Sequence, residues 1–231
     1  MKNFLKFWDN NANVSYSQSG EDRIISFIFE WIQLKTPTYL DIGAHHPSWL
    51  SNTYFFYNNG SNGVCIEPDP YLCKDIIKKR SRDICLNVGI GSGEEKLAEF
   101  YVMTSRSLNT FSKLDADTCA ETNNYGMQKI EEILYIPLRN VNDIVEEYFN
   151  SKVNLVSIDV EGLDFEIIKN FDFIKFQPEV FCIETMRRDN QGKLIKNDEL
   201  IKYMEDNRYS IYADTFINTI FINSSVRAQL N

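Results

Sequence analysis

No C-x-x-C pair occurs in this chain, and its five cysteines, Cys65, Cys73, Cys85, Cys119 and Cys182, are odd in number. Those absences argue against a disulfide framework and a zinc knuckle, and they point to a reducing, cytoplasmic setting. Nowhere do about 18 apolar residues run uninterrupted, so no membrane span is expected, and the opening stretch Met1 to Asp9 has no apolar run of signal-peptide length. Positive charge is also scarce. With 24 Lys and Arg against 33 Asp and Glu the net charge is −9, which repels phosphate backbones and argues against a nucleic-acid partner. Histidine occurs only as the adjacent pair His45 and His46. With the cysteines mainly in apolar segments, that pair is too small a ligand set for zinc.

What is present is an ordinary globular composition: 231 residues, 43% hydrophobic and 25% charged, enough to bury a sizeable core. Short continuous apolar runs alternate with helical stripes, the pattern of parallel strands covered on both faces by crossover helices, so the class is α/β. Strands are expected at Tyr39 to Ile42, Gly63 to Glu67, Ile84 to Val88, Leu97 to Val102, Ile133 to Ile136, Asn154 to Asp159 and Val180 to Ile183. At the C-terminal end, Tyr209 to Ala213 and Thr219 to Ile222 read as an antiparallel edge pair. Helical stripes mark Glu21 to Gln33, capped by Ser19, a piece within Asn52 to Asn59, and segments carrying Ile76, Ile144 and Ile168; another helix is expected over Asp198 to Asn207. The chain is expected to be a single domain over 1–231, with 1–36 as an N-terminal helical extension. The pattern fails over 103–129, which reads as an acceptor-side loop with small helices of its own or a mobile lid.

Two segments carry chemistry at strand ends. In Tyr39-Leu40-Asp41-Ile42-Gly43-Ala44-His45-His46-Pro47 a buried strand ends in an acid and a glycine, but the run does not continue as G-x-G-x-x-G, which counts against a dinucleotide. The next strand ends at Glu67, 24 residues after Gly43. A carboxylate at that place in a βαβ unit accepts hydrogen bonds from ribose hydroxyls; the bland alternative is an acid at a helix start. Together they imply a nucleoside ligand without a pyrophosphate, of which S-adenosylmethionine is one.

The order of Ser17-Gln18-Ser19-Gly20-Glu21-Asp22, Leu40-Asp41-Ile42-Gly43-Ala44-His45-His46-Pro47, Gly63-Val64-Cys65-Ile66-Glu67-Pro68-Asp69-Pro70, Asn87-Val88-Gly89-Ile90-Gly91 and Ser157-Ile158-Asp159-Val160-Glu161-Gly162 resembles the FkbM-type S-adenosylmethionine-dependent methyltransferases over roughly Ser17 to Glu184. The resemblance implies a Rossmann-like, seven-strand, mostly parallel sheet with helices on both faces and an antiparallel C-terminal edge. It also implies O-methylation of a hydroxyl on a small molecule, such as a sugar or an activated surface-glycan unit. By the same resemblance Asp41, Gly43 and Ala44 line the methionine part of the cofactor, Glu67 holds the ribose and Val88 lies near the adenine. Gln18 and Glu21 are the amino-terminal contribution to that pocket.

Asp159 would then end the central strand, with Glu161, Asp164 and Glu184 nearby. A carboxylate there can orient the acceptor, take its proton, or bind Mg²⁺ through Asp159, Glu161 and Glu184; Glu161 and Asp164 also fit a plain helix start. His45 is a second candidate base, or it serves the turn's backbone. In the irregular stretch, Arg106, Ser107 and Asn109 resemble the family's acceptor-side loop. Arg106, with Arg187 beyond the strand ending in Glu184, would clamp a phosphate or carboxylate; a solvated-surface role is the alternative for each. A homo-oligomer is compatible with these features. Two rival functions remain, a nucleotide-dependent oxidoreductase and a non-catalytic nucleoside-binding protein.

Overall fold

The computed structural model describes residues 14–92, 96–121, 126–150, 152–160, 162–188 and 193–230. In chain order the elements are α1 (Glu21–Trp31), β1 (Tyr39–Ile42), α2 (Tyr54–Asn58), β2 (Gly63–Ile66), α3 (Pro70–Lys79), β3 (Ile84–Leu86), β4 (Gly89–Ile90), β5 (Leu97–Met103), α4 (Lys113–Glu121) and β6 (Ile130–Arg139). They continue with α5 (Val141–Phe149), β7 (Leu155–Ile158), α6 (Asp164–Lys169), β8 (Val180–Glu184), β9 (Met186–Arg188), β10 (Leu194–Lys196), α7 (Asp198–Asp206), β11 (Tyr209–Asp214), β12 (Asn218–Asn223) and α8 (Ser224–Leu230).

Seven strands form one sheet in the order β11-β12-β8-β7-β1-β2-β3. From β3 through β8 all pairings are parallel, while β12 runs antiparallel to both β8 and β11. This is the expected Rossmann-like α/β architecture with its antiparallel edge. Consecutive residues of each central strand are buried and alternate between two cores. Leu40, Ile42, Val156, Ile158, Phe181, Ile183 and Phe221 face a core closed by α5, α6 and α7. Tyr39, Leu155, Val180, Cys182, Ile220 and Ile222 face the opposite core, closed by α1, α2 and α8. Strand order reverses beside β1: β2 and β3 lie to one side, β7 and β8 to the other. In open α/β sheets such a switch point opens a crevice beyond the carboxyl ends of the strands.

Several boundaries differ from expectation, each for a local reason. Helix α1 ends at Trp31, and Ser19 does not cap it: the N-cap is Gly20 in the left-handed region at φ 91°, while the Ser19 N–H donates to Glu21 Oε2 at 2.8 Å. The strand expected over Ile84 to Val88 breaks after Leu86, and Gly89–Ile90 pairs instead with β6 in a separate three-stranded sheet, β4-β6-β5. The helical stripe through Ile168 is expected to reach Phe171, but α6 ends at Lys169, and Phe171 meets Phe173, Phe176 and Phe181 edge-to-face as a loop residue of the core. Within 103–129, of which 122–125 lie outside the described residues, short helices are present. Arg106–Leu108 forms a 3-10 turn and α4 follows it.

Candidate active site at the strand ends

The hydrogen-bond ladder runs past the ends of the central strands and sets out the site. The N–H groups of Gly43 and Ala44 both donate to the Ile66 carbonyl (3.0 and 3.1 Å), that of Glu67 to Leu86 (3.0 Å) and that of Asp159 to Ile42 (3.0 Å). Gly43, Glu67 and Asp159 therefore stand side by side at the switch point. A cavity of about 350 Å³ opens over them, and residues 105–111 line it as well.

Gly43 is there for the backbone. At φ +81°, a Cβ on it would lie 1.8 Å from the Asp159 carbonyl oxygen. Its missing side chain lets the turn after β1 lie against the end of β7, so the close approach is to the neighbouring strand.

Glu67 is 4% exposed and lines the cavity. Its Oε2 accepts the His45 N–H (2.7 Å) and its Oε1 the Asp69 N–H (2.8 Å). Each oxygen keeps a second lone pair for a ligand donor. Burial outweighs these two bonds and pushes the carboxyl up to about 8, so it is largely neutral at pH 7 until hydroxyl donors arrive to favour the charged form. This environment fits the ribose role, and the neighbouring Asp69 takes the helix-start role instead. Asp69 Oδ1 accepts the Tyr71 N–H at 2.8 Å to cap α3.

Asp159 lines the same cavity. Burial first, then the charges of Asp164, Asp41 and Glu21, raise its pKa, and a hydrogen bond with Glu184 opposes them. Glu184 ends β8 on the adjoining strand, where Ile158 pairs with Ile183. Asp164 is also raised by burial, and it serves the turn by accepting the N–H groups of Val160 and Gly162 at 3.2 Å each. Asp159, its affinity for a proton raised and its carboxyl in hydrogen-bond contact with Glu184, can accept a proton near neutral pH. Glu161 lies outside the described residues, and among the described residues no group of three or more His, Cys, Asp or Glu is placed to hold a metal ion.

Asp41 has a different surrounding. It faces the α1–α2 side of the sheet, where Thr53 Oγ1 donates to its Oδ2 and Arg80 Nη1 stands 3.7 Å away. Arg80 is fully buried, bonds Asp83 through Nε (2.7 Å) and Thr53 through Nη2 (2.8 Å), and lies over the Tyr39 ring at 5.3 Å. Asp83 also accepts the Tyr39 hydroxyl at 2.7 Å and the Gly63 N–H at 2.9 Å. Asp41 is not among the residues lining the cavity, so its link to a ligand runs through the position of Gly43. Ala44 packs with Cys65 and Ile76. Val88 packs against the main core, away from the cavity lining.

The two amino-terminal residues divide in the same way. Gln18 lines the cavity. Glu21 is fully buried behind it; burial acts to raise its pKa, but bonds from Thr215 (2.6 Å), the Ser19 N–H and Asn218 (3.1 Å) outweigh that and hold the carboxyl below its usual value. His45 lines the cavity at φ 50°, and burial lowers its pKa. His46 serves the turn, its Nδ1 accepting the N–H groups of Ser48 (3.1 Å) and Trp49 (2.8 Å).

Arg106, Ser107 and Asn109 all line the cavity. Arg106 is not a free clamp. Its Nη1 pairs with Asp69 Oδ2, which also accepts Asn109 Nδ2 at 3.0 Å, and its guanidinium covers the Tyr71 ring at 4.9 Å. These contacts pin the 105–111 segment to the start of α3, on the Glu67 side. Arg187 is exposed on the separate β9–β10 pair and does not line the cavity. Sequence patterning missed Asn52, Gln128 and Asn218, which line the cavity as well; Asn52 and Asn218 are polar side chains that only the assembled sheet brings inward.

A switch-point sheet with a buried acid after its second strand and an acid pair after its fourth parallel one is an α/β architecture that can take a nucleoside at the strand ends. The methyltransferase FkbM domain matches residues 41–211, and this chain belongs to that family: it is an S-adenosylmethionine-dependent methyltransferase. No curated protein matches it. Among solved structures it is similar to a TehB-like SAM-dependent methyltransferase from Corynebacterium glutamicum, at 9% identity over 92% of this chain and 90% of that one, with a TM-score of 0.46. It is also similar to 1,6-didemethyltoxoflavin-N1-methyltransferase from Burkholderia thailandensis (8% identity, 89% and 77% covered, TM-score 0.43) and to magnesium protoporphyrin IX methyltransferase from Synechocystis (9% identity, 93% and 90% covered, TM-score 0.43).

Proposed function

We propose that this enzyme methylates a hydroxyl oxygen of a small molecule, a sugar or an activated surface-glycan unit. The observation that carries the reading is the row of Glu67, Gly43 and Asp159 along one cavity, with Glu184 bonded to Asp159. Glu67 holds the ribose hydroxyls and Gln18 reaches the methionine end. When bound, S-adenosylmethionine supplies a methyl group on a positively charged sulfur that leaves as a neutral thioether. The protein's work is then alignment and removal of one proton. Asp159, with Glu184 beside it, takes the proton of the attacking hydroxyl as the new C–O bond forms; no covalent enzyme intermediate is needed. The 105–111 segment lines the cavity on the Glu67 side and keeps water from the nucleoside.

The test is a calorimetric titration with S-adenosylhomocysteine, followed by transfer of labelled methyl groups to a panel of sugars. Micromolar binding (about −8 kcal/mol at 1 μM) is expected, with no competition from NAD. Tight NAD binding in the same cavity would favour the oxidoreductase. Binding of S-adenosylhomocysteine without transfer to any hydroxyl acceptor would favour a nucleoside-binding protein.

A further inference from the structure

Asn218 opens β12, is 2% exposed, and lines the cavity. Its Nδ2 donates to Glu21 Oε1 at 3.1 Å. Chemistry fixes that orientation, because the reversed amide would turn its carbonyl oxygen toward the ionised Glu21 carboxylate. Asn218 Oδ1 therefore faces away from Glu21, and it has no hydrogen-bond partner among the described residues. A buried acceptor left unmatched is costly, and native structures keep few of them. Four buried side-chain atoms among the described residues share this condition, on Ser61, Arg80, Ser210 and Asn218. Only Asn218 belongs to the cavity lining.

Its place in the sheet says which ligand supplies the missing donor. Asn218 pairs with Glu184, so the strand ends follow the order Asn218 on β12, Glu184 on β8, Asp159 after β7, Gly43 after β1 and Glu67 after β2. Neighbouring strands stand about 4.8 Å apart, which puts Asn218 roughly 19 Å from Glu67 along the row. A nucleoside held at Glu67 has its sulfur one methylene beyond the ribose, over β1 and β7. The β8 and β12 end is left to the second reactant. The charge there also selects: Asn218 bonds Glu21, which is held below its usual pKa, and pairs with Glu184, with Asp159 one strand further on, so a phosphate or carboxylate on the acceptor is repelled and a neutral hydroxyl is accepted. The turn leading into Asn218 is strained. Phe216 sits at φ +78° while 66% exposed, so burial offsets nothing of that cost. Both residues lie beyond residues 41–211 matched by the family.

We propose that Asn218 Oδ1 determines acceptor specificity by taking a hydrogen bond from a second hydroxyl of a neutral polyol, the first being the one methylated beside Asp159. This rests on the methyltransferase reading of the cavity. The experiment uses isotopically labelled protein saturated with S-adenosylhomocysteine and titrates methyl glycosides of glucose, galactose, mannose, rhamnose and fucose while following the Asn218 side-chain amide by NMR. At least one glycoside is expected to shift that signal saturably in the parent protein. Asn218→Leu should bind the same glycoside at least tenfold more weakly and keep its S-adenosylhomocysteine affinity within twofold. Should that variant not fold, the saturable shift in the parent decides. No shift with any glycoside overturns the proposal. So does a tenfold loss of S-adenosylhomocysteine affinity in Asn218→Leu without loss of 5′-methylthioadenosine affinity, which would assign the oxygen to the cofactor's ammonium group. Failure of the parent to bind S-adenosylhomocysteine overturns the cofactor reading itself, and calorimetry detects it before any glycoside is added.

Discussion

Asp41 and Asp159 lie at the ends of adjacent parallel strands and burial raises both, yet their neighbours differ. Asp41 faces the α1–α2 layer, where burial raises its pKa and the Arg80 guanidinium and the Thr53 hydroxyl offset part of that rise. Asp159 opens on the cavity, with the acids Asp164, Asp41 and Glu21 around it and no cation among the causes of its shift. Burial raises both acids; at Asp41 a cation opposes the rise and ties the carboxyl into the packing, whereas at Asp159 neighbouring acids add to it, the setting in which functional carboxyls are found. The same contrast divides the row. Its Glu67 end is closed by paired groups such as Asp69 with Arg106, and its Asn218 end keeps an unmatched acceptor.

The largest effect tests the packing side. Arg80→Met leaves Asp41 and Asp83 buried without their cation, and the protein should lose about 3–5 kcal/mol in denaturant unfolding. A loss under 1 kcal/mol would mean that the pair contributes little and that Asp41 is free for another role.

Asp159→Asn tests the chemical side. The amide keeps the shape and removes the proton acceptor, so turnover should fall about 10²-fold or more while S-adenosylhomocysteine affinity changes by no more than a few fold. In the parent, the rate should rise with pH through the raised Asp159 pKa, because only the ionised carboxylate takes a proton. Unchanged activity in the variant would shift the role to Glu184 or His45.

Linkage gives a smaller, distinct signature. The folded pKa of Glu67, about 8, lies above its unfolded value. Its contribution to stability is complete below the unfolded pKa of about 4.3 and is lost as pH rises through 8. The melting temperature of the ligand-free protein should accordingly decline between pH 5 and 8 by an amount that Glu67→Gln removes. An identical pH profile in the two proteins would contradict the buried-carboxyl picture. Least of all, Phe216→Gly should stabilise the fold by about 1 kcal/mol by relieving the left-handed backbone; no change in melting temperature would mean that the turn is not strained.

The Glu67 end was legible from sequence because its parts are consecutive: a buried run, a glycine turn, and an acid at the end of the next strand. The parallel sheet and its antiparallel edge were legible for the same reason, since continuous apolar runs such as Val180 to Ile183 carry their own period. The other end was not. Asn218 looked like a residue outside a strand beginning at Thr219, and nothing local marks it as buried. Its role arises only when β12 inserts beside β8 and sets it opposite Glu184. The direction of a side chain was illegible too. Asp41 lies within a run buried on both faces, so period alone does not tell which layer receives it, and Arg80, its partner, is 39 residues on. The long β6 through Pro137 was foreshadowed only over Ile133 to Ile136, because most of its residues are exposed or half-buried.

The central claim is that Glu67 anchors the nucleoside of S-adenosylmethionine at the switch point, and calorimetry of S-adenosylhomocysteine binding to the parent and to Glu67→Gln tests it most directly. The account expects the parent to bind with release of protons at pH 7, seen as a dependence of the heat on the buffer, because ribose hydroxyls draw Glu67 into its ionised form. It expects Glu67→Gln to bind roughly 1.5–3 kcal/mol more weakly, without that proton release. Equal affinity in a folded Glu67→Gln protein, with the same buffer dependence as the parent, would contradict it.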